Sequence, residues 1–289
     1  MRIDLREIRS DYEGFAQLIE LAARTSDLVF DSTSIDMRTA NWLDANMCAP
    51  FGAILYKVSR NLNTVKLLNI PDQVETILSK NAFLSSYGRA KRPDTYGTTI
   101  EYKRFEPKDD RYFASYVERH LVGKGMPQMT VRLLKKIRES IFEIFSNAVI
   151  HSETKLGIFA CGQYFPHKNR LDFSIADLGI GIRQNVKKKR GLDLLAEKAI
   201  GWAMDGKNTT KSGSIPGGLG LKLLREFITL NRGRLQIVSD RGYWVLSNGQ
   251  VATRTFPYPF PGTVVNIEIN TADKGSYRLT SESPTKDIF

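Results

Sequence analysis

The chain has 289 residues, with 42 Lys and Arg against 31 Asp and Glu, for a formal net charge of +11. Hydrophobic residues at 42% and charged residues at 25% describe an ordinary globular protein with room for two cores, and no internal repeat or low-complexity tract points to a fibrous or disordered chain. The apolar runs are far too short to span a bilayer and the first residues, Met1-Arg2-Ile3-Asp4-Leu5-Arg6-Glu7, lack a signal-peptide core; Cys48 and Cys161 have no metal-type spacing, so a cytoplasmic protein without membrane, disulfide framework or zinc site is expected.

In chain order, an apolar face of Phe15, Leu18, Ile19 and Leu21 predicts a first helix, and the run Leu28-Val29-Phe30 predicts a buried strand. Helical character follows from Thr39 to Val58, interrupted by Pro50. Thr64 to Ile70 reads as a second strand, and Pro71 opens a helix from Asp72, because proline suits a first helical turn. This alternation implies a small α/β layer with a parallel sheet over residues 1–90. Residues 85–110 are rich in Ser, Gly, Pro and charge, with one strand at Thr98 to Tyr102, and mark the boundary. A helix from Arg111 to Val122, broken by Gly123-Lys124-Gly125, completes a connecting segment over residues 91–124. A second domain is expected over residues 125–271: a long helix from Met129 to Ser152, a strand at Leu171 to Ala176, a helix opening near Leu219, and closing strands at Gly233 to Ser239 and Gly262 to Ile269. The polar tail, 272–289, is expected to fray. The basic run Lys187-Lys188-Lys189-Arg190 reads as a solvated loop. The remaining charge is scattered and no reader motif occurs, so nucleic acid is not the favoured partner.

Three short motifs fall in order along the second domain. In Glu143-x-x-x-Asn147-x-x-x-His151, a spacing of four puts the three residues along one edge of a helix. Glu143 interrupts an apolar stretch, Ile141 to Phe145, where a carboxylate costs free energy unless it is exposed, paired or functional. Asp177-Leu178-Gly179-Ile180-Gly181 follows an apolar strand, and its glycines admit backbone close to a ligand. Asp177 is also a common turn former. Gly217-Gly218-Leu219-Gly220-Leu221 opens a helix whose free N–H groups and dipole favour phosphate. Each motif alone is weak, but their order reads as a nucleotide pocket. His151 is either pocket-lining or structural. Asn208 to Ser212 either touch the nucleotide or form a solvated linker, and Lys222 either reaches phosphate or faces water.

Together these residues resemble the GHKL (Bergerat-fold) ATP-binding domain shared by DNA gyrase B, the Hsp90-type chaperones, histidine kinases and MutL. The resemblance implies an α/β sandwich of helices on a mixed sheet that binds ATP and Mg²⁺. By position, Glu143 would orient or deprotonate the attacking group, Asn147 would hold Mg²⁺ through its amide oxygen, and Asp177 would accept a hydrogen bond from the adenine amino group. Gly179 and Gly181 would pass close to the base, and Gly217, Gly218, Leu219 and Gly220 would turn a lid into the helix over the phosphates. His151, Thr209, Thr210 and Thr263 complete the implied nucleotide contacts.

The first 90 residues resemble the STAS-like fold of anti-sigma factor antagonists through the strand at Leu28 to Phe30, the corner Leu43-Asp44-Ala45-Asn46 and the strand–helix unit from Thr64 to Phe83. In that family a serine at the corner is phosphorylated. Here Ala45 has no hydroxyl, so a docking or regulatory layer is expected. The combined expectation is a Mg·ATP-binding regulatory protein that hydrolyses ATP or switches with nucleotide state, with a STAS-like or sigma-factor-like protein partner, and a homodimer as a further expectation. The alternatives are a serine/threonine protein kinase of the anti-sigma type, in which Glu143 activates a partner's hydroxyl, and a non-catalytic nucleotide-binding module. Histidine kinase chemistry is the least supported, because the only upstream histidine, His120, lacks the proline that often follows an acceptor.

Overall fold

The structure, a computed structural model, describes residues 1–121, 123–205, 208 and 219–282; Thr209, Thr210, Gly217 and Gly218 lie outside them. The chain is a mixed α/β protein. Its first part runs β1 (Arg2–Asp4), α1 (Tyr12–Arg24), β2 (Ser32–Asp36), α2 (Cys48–Arg60), β3 (Thr64–Leu68) and α3 (Asp72–Lys80), with the strands in a parallel sheet of order β1-β2-β3. The rest adds β4 (Thr99–Phe105), α4 (Asp110–Leu121), β5 (Gln128–Met129), α5 (Val131–His151), β6 (Ile158–Phe165), β7 (Arg170–Asp177), α6 (Gly181–Arg190) and α7 (Ala196–Met204). It ends with α8 (Leu219–Asn231), β8 (Arg234–Ser247), β9 (Gln250–Asn270) and β10 (Ser276–Tyr277). No described helix is long and apolar enough to cross a membrane.

The centre of the molecule is a five-stranded sheet of order β4-β6-β7-β9-β8. The expected mixed sheet is corrected: every pairing in it is antiparallel. Short connections fix that sense, since β6 turns into β7 through residues 166–169 and β8 turns into β9 at Asn248-Gly249, whose positive φ angles of 51° and 75° suit a two-residue hairpin. The hairpin extends the two expected closing strands far beyond their sequence limits.

Both faces of the sheet are buried. Ile158, Ala160, Phe173, Ile175, Leu235 and Ile267 face the helices and join a core with Phe105, Phe113, Ile141, Phe145, Leu224 and Phe227. Phe159, Cys161, Ala176, Val238 and Val264 face the other way and share a core with Phe15, Leu18, Phe51, Ile54 and Leu55 of the first part. The N-terminal layer is therefore seated on the sheet. Buried hydrogen bonds stitch the seam: Asn46 Nδ2 donates to Ser10 Oγ at 3.1 Å and to Ser174 Oγ at 2.9 Å, and Asn266 Nδ2 donates to Ser10 Oγ at 2.9 Å. Gln236 Nε2 reaches the Ser10 carbonyl at 3.1 Å and Tyr243 Oη at 2.7 Å. At the rim, Arg170 contacts Asp44 at 2.9 Å and Asp172 at 3.0 Å. Burial outweighs the nearby Arg170 and pushes the Asp172 carboxyl up to about 8.

Several elements differ from the sequence expectation. Leu28-Val29-Phe30 is a loop with Val29 and Phe30 exposed, not a buried strand. Phe30 has φ 56°, and Asn63 pins this loop by donating to the Leu28 carbonyl and accepting from Asp31 N. The strand lies next door in the polar run Ser32–Asp36, which buries Thr33, Ile35 and Asp36. Pro50 falls in the first turn of α2, where no helical N–H partner is lost, so it does not interrupt the helix. The basic run is the last turn of α6, where the helix dipole favours cations, with Lys187 on Asp193 at 2.9 Å and Lys188 on Glu153 at 2.6 Å. Within the tail, β10 pairs with β5, Tyr277 packs edge-on against Phe227, and Thr130 Oγ1 donates to Glu282 at 2.7 Å.

Phe159 is fully buried at the seam and lies 5.6 Å, ring centre to ring centre, from Tyr56. Phe159→Ala is expected to cost about 3–5 kcal/mol and to lower one cooperative urea transition that includes both layers. Two separate transitions, with only one shifted, would show that the layers unfold independently.

Candidate functional site

Helix α5 carries the first motif. Thr130 caps it, accepting from Leu133 N at 3.2 Å, and Leu133, Ile137, Ile141, Ile144, Phe145 and Ala148 bury one stripe against the sheet. The adjoining edge presents Glu143, Asn147 and His151 to a cavity. The floor of that cavity is the central sheet, through Ile175, Ile237 and Val265, and its far end is Asp177 on β7 and Thr263 on β9. Asp177 and Thr263 are direct register partners.

Asp177 is buried, and its Oδ1 accepts from Gly179 N at 2.8 Å, with a further backbone hydrogen bond from Thr263. Burial outweighs these donors and pushes its carboxyl up to about 7. The turn after it is held to the end of α5: Ile180 N donates to the Ser152 carbonyl at 2.7 Å, and a Cβ on Gly179 would lie 2.0 Å from that same oxygen. Gly181 has φ 74° and starts α6, whose Ile182 N donates to Ser239 Oγ at 2.8 Å. Glycine at 179 and 181 thus serves close backbone approach and an unusual φ.

Glu143 reaches across to α8. Its Oε2 accepts from Gly220 N at 3.0 Å, and a Cβ on Gly220 would meet that oxygen at 2.3 Å and Ser140 Cα at 3.3 Å. The glycine therefore lets the first turn of α8 close onto α5. Leu219 is the first residue of α8. His151 lines the cavity, and its carbonyl accepts from Asn185 Nδ2 at 2.9 Å. Lys222 does not line the cavity; it is exposed and 3.9 Å from Glu226.

The structure thus brings Glu143, Asn147, His151, Asp177, Gly181 and Thr263 to one cavity, while Gly179 and Gly220 do not line it and instead allow close approach to Ser152 and to Glu143. Sequence reasoning missed the apolar lining from Ile182, Trp202, Met204 and Leu221. The alternation of Ile175 and Asp177 along β7 was a usable signal for the floor, whereas nothing near Trp202 marked it. The role of Gly262 was also missed: its φ is 153° and a Cβ there would lie 2.0 Å from the Asp177 carbonyl. Asn208 lines the cavity and donates to the Trp202 carbonyl at 3.0 Å. No group of three His, Cys, Asp or Glu suited to a metal occurs among the described residues. No protein-family model matches the chain, and no match was found among curated proteins.

An unfolded Asp titrates at about 3.9, so the raised Asp177 value makes the protonated form the one the fold favours. That contribution to stability is complete below the unfolded value and is lost as pH rises through about 7. Urea unfolding across this range should show wild type losing stability more steeply with pH than Asp177→Asn. Parallel curves for the two proteins would show an Asp177 that is ionised throughout.

Proposed function

We propose that the chain binds Mg·ATP in this cavity and acts as a nucleotide-dependent regulatory protein of the GHKL type. The observation that carries the reading is the convergence of Glu143, Asn147, Asp177 and Thr263, from α5, β7 and β9, on one apolar-floored cavity. The chemistry of these groups fits an adenine nucleotide. Ile175, Ile237 and Val265 offer a flat apolar surface to a base, and the Asp177 carboxylate is a buried acceptor for an exocyclic amino donor. The glycines at 179 and 262 let the chain pack closely on either side of Asp177, where a Cβ would collide with the Ser152 and Asp177 carbonyls.

Asn147, half-buried one helical turn beyond Glu143, supplies an amide oxygen of the hard type that Mg²⁺ prefers. When bound, the metal offsets phosphate charge and orients the terminal phosphoryl group. Glu143 would orient the attacking water and accept its proton. The protein then hydrolyses ATP slowly or switches conformation with nucleotide state.

The N-terminal layer serves as the regulatory unit of this reading, by its likeness in strand–helix order to STAS-like domains. The corner that carries the phosphorylated serine in that family is sealed here: Ala45 is fully buried, and Asp44 accepts from Ser10 N at 2.8 Å and Trp42 Nε1 at 2.9 Å. A partner protein would therefore meet other surfaces of the layer.

Calorimetric titration with ADP and a non-hydrolysable ATP analogue, each with and without Mg²⁺, tests the reading. Mg-dependent binding is expected in wild type and lost in Asn147→Ala, while Glu143→Ala binds without turnover; continued turnover in Glu143→Ala would remove the proposed base. Because an amino donor favours the ionised Asp177, adenine nucleotide affinity should fall as pH drops below about 7. The same titrations repeated in acidic and alkaline buffer check this, and equal affinities would mean that Asp177 does not contact the base.

A further inference from the structure

The N-terminal ends of the three parallel strands lie along one edge of the first layer, and several residues that lead into them are apolar and exposed. Val29, Phe30 and Leu62 are 58%, 77% and 64% exposed, and Met1, at the start of the chain, is exposed as well. Backbone hydrogen bonds gather these segments into one place. Phe30 N donates to the Asn61 carbonyl at 3.4 Å, Thr64 N to the Asp31 carbonyl at 2.9 Å, and the Met1 amine to the Ser32 carbonyl at 2.6 Å. Single exposed apolar residues are ordinary on a surface, whereas a group of them at one edge marks a contact surface.

The backbone beneath the patch is strained. Leu62 follows the C-cap of α2 with φ 62°, at the position where glycine usually ends a helix, and Phe30 has φ 56°. Bulky side chains in this left-handed region cost free energy that glycine or asparagine would avoid. Asn63 fixes both turns: it donates to the Leu28 and Val58 carbonyls at 2.8 and 3.0 Å and accepts from Asp31 N at 2.8 Å. Within one chain, burial of the phenyl and isobutyl groups does not offset this strain, because both remain in water.

We propose that the patch of Val29, Phe30 and Leu62 is where a second copy of this chain docks, pairing the two first layers about a twofold axis. The charges around the patch select this occupant. Asp27 and Arg60 are exposed beside it, and Asp31 lies 4.0 Å from the Met1 amine, so the rim carries both signs in balance although the chain as a whole has a formal charge of +11. A twofold contact sets a surface against itself, and a rim of one sign would repel its own copy, whereas a balanced rim can place acid against base. An anionic membrane would instead call for a cluster of Lys and Arg around the apolar residues.

Sedimentation equilibrium on the full chain, without nucleotide, tests the proposal independently of the ATP reading. Wild type should pass from the mass of one chain toward that of two as its concentration rises through the micromolar range, the weak association expected of a small interface. Phe30→Asn and Leu62→Asn remove the apolar groups and leave at each position a residue that accepts the left-handed region. Each should weaken association about tenfold, and the double variant should remain a single chain throughout. In dilute solution the urea midpoints of both variants should equal or exceed that of wild type. Arg60→Glu, which tips the rim toward acid while keeping Phe30 and Leu62, should weaken association several-fold. Wild type that stays a single chain at every concentration would overturn the proposal, as would a dimer that both asparagine variants leave unchanged. Lower urea midpoints in the variants would show that the side chains serve the fold of one chain instead. Single-chain wild type that sediments with phosphatidylglycerol vesicles, and no longer does so as Phe30→Asn, would give the patch to a membrane surface.

Discussion

The antiparallel register of β7, β8 and β9 is the constraint on which the rest of the molecule depends. Because side chains alternate across a sheet, one residue of slip would exchange the two faces. In the observed register, Ile175, Ile237, Val265, Asp177 and Thr263 meet the helices and the cavity. Their immediate neighbours Ser174, Gln236 and Asn266 meet the N-terminal layer and form the polar seam. The floor of the cavity and the seat of the first 90 residues are thus two sides of the same strands. Buried polar groups hold a register more strictly than apolar ones, since a slip would leave Ser174, Asn266 and Gln236 without partners in a dry interior.

The site is assembled at the edge where this sheet meets two helix ends. The C-terminal end of α5 docks on the Asp177 turn through the Ser152 carbonyl, and the N-terminal end of α8 docks on α5 through Glu143. Each docking is close enough that a Cβ at Gly179 or Gly220 would collide with its partner. The glycines of the motifs therefore set distances between elements as well as backbone angles. Asp177 shows the electrostatic result of this closeness: a carboxyl with two backbone donors is still governed by burial, because the apolar floor removes the water that would stabilise its charge.

How much of this was legible follows from the range of the forces involved. The phase of Glu143, Asn147 and His151 could be read directly, because the helical period is local and the apolar stripe from Leu133 to Ala148 is unambiguous. Asp177 was legible as the end of an apolar strand. The extended hairpin had a local signal in Asn248-Gly249 that the sequence reading passed over. The strand at Ser32–Asp36 was less accessible, since its residues are mostly polar and become buried only by pairing with β1 and β3. Leu28 to Phe30 is the converse case, an apolar run excluded from the sheet because Asn63 fixes its backbone in a loop.

The sequence by itself determined which residues share a helix edge, where the strands before Asp177 and after Gly262 lie, and which positions admit no side chain. These depend on backbone period, β-branching and the freedom of glycine, all of which act within a few residues. Only the tertiary structure decided that the central sheet is antiparallel throughout, that the N-terminal layer lies on its far face, and that Glu143 spans the gap to Gly220. Those outcomes join residues from 36 to more than 200 positions apart, such as Ser10 with Asn46, Glu143 with Gly220, and Ser10 with Gln236. Such pairings are chosen by the shared burial of whole faces, and no local pattern encodes which face will meet which.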